Sequence, residues 1–270
     1  MKSFVSRSLL GLSVLSLSTL SQADSVTLYD QNFESPNDPP DFIDGSGSDY
    51  DDLSQQTVNS LYGGQPAGFS FAQSFTVETV WLTGPAAFGS GYSDPSGIGG
   101  NYAIGMLSDV QNDLLGLSFN IGDFDFFNFT LDISSLGLSG GPGNGPFADE
   151  TTAPVFQFTL FDNPTGASGV GTGLSSLDQE TLAGSASALN TLDWTNGVFA
   201  LDASGSTNGN VLLQIDLLEG GYAVMDNIKI TASDEAGGGL APVPLPAAAW
   251  LFGSALIGAG IVGRRKKKEA

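Results

Sequence analysis

The chain has 270 residues, including 37 Gly and 13 Pro, a turn-rich composition that favours short strands and suits one large domain or two small ones. With no Cys and no His, it has no disulfide framework, no thiolate metal site, no cysteine nucleophile and no histidine base or ligand. Of the 29 acidic residues all but Glu269 lie between residues 24 and 240, whereas of the 8 basic residues only Lys229 does, so this middle part repels phosphate backbones and nucleic-acid binding is excluded.

In chain order, Lys2 and Arg7 precede the apolar run Leu9 to Leu20, which closes on Ser21-Gln22-Ala23. This is the pattern of a secretory signal peptide at residues 1–23, cut after Ala23 by signal peptidase once the Sec translocon has taken the chain across the inner membrane. The acidic stretch with Asp41, Asp44, Asp49, Asp51 and Asp52 has the oxygen density of a calcium loop without the EF-hand spacing. A solvated acidic loop is the favoured reading. The surplus of carboxylates fits either a saline habitat or a specific cation role, and in both cases salt or calcium should stabilise the exported part.

Alternation marks the strands. In residues 124–133, Phe127, Phe129, Leu131 and Ile133 face one way, and Asn128, Thr130 and Asp132 the other. Residues 155–161 and 211–218 read similarly, with 69–77, 114–121 and 197–201 as further strands. Gly, Pro, Asn and Asp clusters at 93–101 and 137–146 separate them. The simplest fold that buries these faces is all-β, a two-sheet β-sandwich of jelly-roll type spanning residues 24–233. Residues 174–190 read as a helix, with Ser176 as cap and Gln179 three residues on. Residues 234–242, with three consecutive glycines, read as a flexible linker. Trp81, Trp194, Tyr62 and Tyr92 are either stacking platforms for sugars or buried core.

Residues 29–35 (YDQNFES) and 222–230 (YAVMDNIKI) resemble the first and last strands of lectin-like, carbohydrate-binding jelly rolls. That resemblance implies paired terminal strands with a structural calcium beside them. By alternation Asp226 shares a face with Val224, Ile228 and Ile230 while Lys229 points away, so a carboxylate interrupts an apolar row and needs a partner. Calcium held by Asp226 with Glu34 or Asp30 would supply one. Backbone amides or water at a strand end would do so too.

The C-terminus joins a kinked Pro-rich segment, Ala241 to Pro246, to an apolar run, 247–262, and a basic end, Arg264, Arg265, Lys266, Lys267 and Lys268. As a helix the run rises about 24 Å, slightly less than the ~30 Å hydrocarbon core, so flanking residues must help it span as a transmembrane helix. The basic end stays cytoplasmic. Val243, Pro244, Leu245, Pro246 and Ala247, with the Trp-Leu-Phe-Gly that follows and the basic end, resemble the VPLPA variant of the PEP-CTERM sorting domain, here residues 243–268. The resemblance implies an exosortase as partner in a Gram-negative bacterium that makes extracellular polysaccharide. The tail would anchor the chain transiently in the inner membrane, and its removal or exchange would place the body at the cell surface or outside the cell. A plain C-terminal anchor needs no Pro-rich motif, a sortase signal would need Leu-Pro-x-Thr-Gly, and a GPI signal lacks the basic end.

The resulting expectation is a non-enzymatic surface or matrix protein associating with extracellular polysaccharide and calcium. The alternative is a carboxylate-based glycoside hydrolase. Against the latter, residues 24–240 offer no His or Arg and no Gly-x-Ser-x-Gly elbow.

Overall fold

A computed structural model describes residues 24–35, 70–74, 77–83, 92–108, 112–137 and 150–240. The expectations placed on the signal peptide, the 41–52 cluster, Tyr62, the sorting motif and the tail lie outside these residues. Among the described residues there are eleven strands and no helix, and none of them forms a helix long and apolar enough to cross a membrane.

The strands form two antiparallel sheets. The six-stranded sheet contains β1 (Ser25–Gln31), β3 (Glu78–Trp81), β4 (Tyr102–Leu107), β6 (Phe126–Ser135), β9 (Thr195–Asp202) and β11 (Tyr222–Ser233), in the order β3-β4-β11-β6-β9 with β1 also on β11. The five-stranded sheet has the order β2-β5-β10-β7-β8, from β2 (Ser70–Ser74), β5 (Leu114–Asn120), β7 (Val155–Asp162), β8 (Ser175–Ala183) and β10 (Asn210–Glu219). Strands β4 and β1 share one edge of β11, β4 along 222–225 and β1 along 228–233, while β6 covers the other edge.

The core lies between the sheets. Phe127, Phe129, Leu131 and Ile133 of β6 project inward, as alternation predicts, against Phe156, Phe158 and Leu160 of β7 and Val211, Leu213, Ile215 and Leu217 of β10. Phe129 lies at its centre, with ring centroids 5.0 Å from both Phe158 and Phe199. A smaller apolar cluster forms on the outer face of the six-stranded sheet, where Val80, Leu82, Ala103, Leu136, Leu192, Tyr222 and Val224 are buried and Tyr92 and Trp194 pack against them.

Two expectations are corrected. Residues 175–183, inside the segment read as a helix, are the edge strand β8. Only Leu177 and Leu182 add apolar packing to the core, and most other positions are exposed, so the strand carries little apolar alternation and its Ser/Gln spacing imitates a helix cap. Residues 234–240, expected to be a free linker, instead turn back over β6 and β11, with the Gly237 amide donating to Asn128 Oδ1 at 2.6 Å.

Candidate functional site

Two places on this scaffold concentrate polar chemistry. The first is the break in the edge of β11 between β1 and β4. The pairing of β11 with β6 slips between Asp226 and Lys229, and Asn227 adopts φ 51°, a left-handed conformation that Asn tolerates better than most residues. This bulge reverses the alternation. Met225, Ile228 and Ile230 all face the main core, whereas Asp226 lies on the outer face with Val224, so the shared row of Asp226 with Ile228 and Ile230 expected from sequence is not formed.

Asp226 is 1% exposed and accepts the Asn227 amide at 2.6 Å. Burial, with the carboxylates of Glu34, Asp132 and Asp94 nearby, pushes its carboxyl up to about 8 against the opposing pull of that amide. Glu34 follows β1 and bridges to the start of β4, accepting the Asn101 amide at 2.7 Å, the Asn101 side chain at 2.9 Å and the Tyr102 amide at 3.2 Å. Asp132 pairs with Asp226 across β6 and β11 and accepts the side chains of Asn227 at 3.0 Å and Asn196 at 2.9 Å. Burial works to raise the Asp94 carboxyl, but the Ser96 hydroxyl, the Gly99 and Gly97 amides and the Trp194 indole together hold it below the usual range.

The bulge also turns Lys229 to the outer face, but its ammonium goes to Asp30, 3.6 Å away and largely exposed. Asp30 is thereby committed to Lys229. Of the three residues named from sequence, Glu34 and Asp226 converge, and no group of three His, Cys, Asp or Glu that could hold a metal is present among the described residues. Calcium at this site would therefore rest on Asp226, Glu34 and neutral oxygens. Asp132 and Asp94, which sequence reading did not single out, complete the negative surroundings. Only the pairing of β11 with β6 brings Asp132 opposite Asp226.

The second place is the outer face of the five-stranded sheet, which sequence reading missed. Direct pairings align Gln214, Thr159 and Gln179 in one row and Asp216, Gln157 and Thr181 in the next. These residues alternate with core positions, so they share the face turned away from the core. Burial raises the Asp216 carboxyl, opposed by a hydrogen bond from Asn112, and its Oδ1 is buried with no partner among the described residues. One end of the face is roofed by residues 168–171. There the Gly171 amide donates to Gln214 Oε1 at 2.9 Å and the Ser118 hydroxyl to the Ser168 carbonyl at 3.1 Å. The Gly169 carbonyl sits where a side chain on Gly116 would be, which explains glycine at that strand position.

Of the expected stacking aromatics, Tyr92 and Trp194 are half-buried in the outer apolar cluster, and burial pushes the Tyr92 phenol up. Trp81 is half-buried on the edge strand β3, its indole donating to Thr83 Oγ1 at 3.2 Å.

No protein-family model and no curated protein matches the chain. Solved structures similar to it include the K3 cleaved adhesin domain of Lys-gingipain from Porphyromonas gingivalis, at 11% identity over 76% of this chain and 98% of that one, with a TM-score of 0.38. The CBM22-1 xylan-binding domain of Paenibacillus barcinonensis Xyn10C matches at 11% identity over 62% and 87%, with a TM-score of 0.34. A CBM4 structure matches at 12% identity over 48% and 71%, with a TM-score of 0.32.

Proposed function

We propose that the chain is an exported, non-enzymatic surface or matrix protein, delivered by a signal peptide, processed at its tail by an exosortase, and associating through its sandwich with extracellular polysaccharide. The observation that carries the sorting half is the order of parts at the C-terminus: the motif Val243 to Ala247, an apolar run and a basic end. Cells lacking the enzyme should retain the chain, tail attached, in the inner membrane. A surface-borne product that still carries residues 247–270 by mass spectrometry would overturn that half.

For the sandwich, the reading rests on the outer face of the five-stranded sheet. Its amides and hydroxyls, with Gln179 and Thr181 exposed, bond to neutral sugar hydroxyls without charge complementarity. On a glycan array, Gln179→Ala should lower retention of neutral polysaccharide about fivefold, the scale of one neutral hydrogen bond. Equal binding by both proteins would sink this site. A structural calcium at the gap in the edge of β11 would be held first by Asp226, and Glu34 would join it only by giving up N–H donors from Asn101 and Tyr102.

One observation favours hydrolysis instead: a carboxyl with a raised pKa beside other carboxylates, the division of labour of glycosidases. Asp226, however, is buried, and backbone and side-chain N–H groups hold both Glu34 oxygens, so neither presents itself to a glycosidic bond. A hydrolysis screen should show no turnover that a single carboxylate substitution abolishes.

A further inference from the structure

Residues 234–240 form a strap. After β11 ends, Ser233 Oγ donates to the Glu235 carbonyl at 2.6 Å, and the Gly238 and Leu240 amides close two tight turns onto the Glu235 and Gly237 carbonyls. The strap is pinned by the sheet beneath it. Asn128, wholly buried on the outer face of β6, accepts the Gly237 amide at 2.6 Å and donates to Ser233 Oγ at 2.8 Å and to the Gly238 carbonyl at 3.3 Å. Thr231, also buried, donates to the same carbonyl at 2.6 Å.

Glycine is needed along the strap. Gly237 and Gly239 have φ of 77°, a Cβ on Gly238 would run into the Ser233 side chain, and one on Gly239 would come 2.9 Å from the Ser25 hydroxyl. The last contact sets the end of the strap against the first strand of the body. Closure therefore requires β1, β6 and β11 together, from the beginning, middle and end of the sandwich.

From Leu240 the chain needs only residues 241 and 242 to reach Val243. Extended, that stretch spans about 10 Å, against a body about 40 Å across. Opening residues 234–240 would add about 24 Å of reach. We propose that the strap is a positioning device for the sorting motif: closed, it keeps Val243 within about 10 Å of Leu240 and slows processing, and opening it gives a membrane-embedded enzyme room to engage. This rests on the sorting reading above. Asn128 and Thr231 are positioning residues in this scheme, acting through the strap rather than on the reacting bond.

The test uses the full chain in membranes containing the processing enzyme, with two readouts. A glutamate-specific protease reports strap opening by cleavage after Glu235, and pulse-chase labelling reports processing. Gly238→Val places its bulk on the strap and leaves the sandwich core intact, and Thr231→Val removes one pin. Both should be cut after Glu235 and processed about tenfold faster than wild type, the factor expected when one or two hydrogen bonds are lost. Thr231→Ser keeps the hydroxyl and should behave as wild type.

Because the chain has no cysteine, Ser25→Cys with Gly239→Cys supplies the converse. The two Cβ atoms would lie 3.0 Å apart, within disulfide reach once the strap gives by about 0.5 Å. The locked form should be processed more slowly until a reductant is added. Equal cleavage after Glu235 in wild type and Gly238→Val would show that no closed strap exists. Faster cleavage with unchanged processing would overturn the positioning role. A wild-type chain left uncut by the enzyme would overturn the sorting reading and the positioning role with it, while the protease contrast would still report the strap itself.

Discussion

Raising the pH from 5 to 8 in the presence of a chelator should destabilise the sandwich, and calcium should abolish that loss. Asp226 titrates near 8 in the folded chain and near the ordinary carboxylate value when unfolded. Between those values the folded state holds a proton that the unfolded state has released. Its contribution is therefore fully present below the unfolded pKa and is lost as pH rises through the folded one. Even half of that displacement amounts to on the order of 3 kcal/mol. The groups facing Asp226 are Glu34, Asp132 and Asp94, all carboxylates, and the only base among the described residues, Lys229, is paired with Asp30. A bound divalent cation would let Asp226 ionise at no loss. Asp226→Asn should be the more stable protein at pH 8 in chelator and should gain little from calcium. Denaturant midpoints across pH, with calcium and with chelator, check both, and parallel pH profiles for the two proteins would remove Asp226 from the account.

The largest loss expected from a single side chain is at Phe129. It is 1% exposed and touches aromatic rings of both sheets, Phe127 and Phe199 on its own and Phe158 on the other. Phe129→Ala should cost about 3–5 kcal/mol, from lost transfer energy and the cavity left between the sheets. Phe129→Leu, which keeps most of the volume, should cost about half as much or less. Urea unfolding of both variants measures the difference. A loss under ~1 kcal/mol for alanine would mean that the sheets collapse around the gap.

Where a strand has one dry face and one wet face, its period shows in the sequence. Residues 126–135, 155–162 and 210–219 were legible for that reason, and the two-sheet arrangement followed from them. Strand β4 was not, because its central residues are buried on both faces, against the main core and the outer cluster alike, so its letters do not alternate. Strand β8 failed in the opposite sense, being exposed at most positions. At Asp226 a pattern of period two was carried through a bulge at Asn227, and one inserted residue exchanged the faces of everything on one side. An Asp-Asn pair inside an apolar strand is a usable hint, since Asn enters the left-handed region more readily than its neighbours. The rows on the outer face of the five-stranded sheet depend on register between distant strands, which local pattern does not encode.

The place of β11 bears on how the chain can fold. The last strand of the sandwich is the one that β1, β4 and β6 all pair with, so most contacts in the larger sheet join residues far apart along the chain. High contact order of this kind makes for slow folding, and a chain delivered N-terminus first has no central strand to build on until residues 222–233 arrive. The larger sheet thus stays open while the chain is being made, and the sandwich closes only after its final strand has been added.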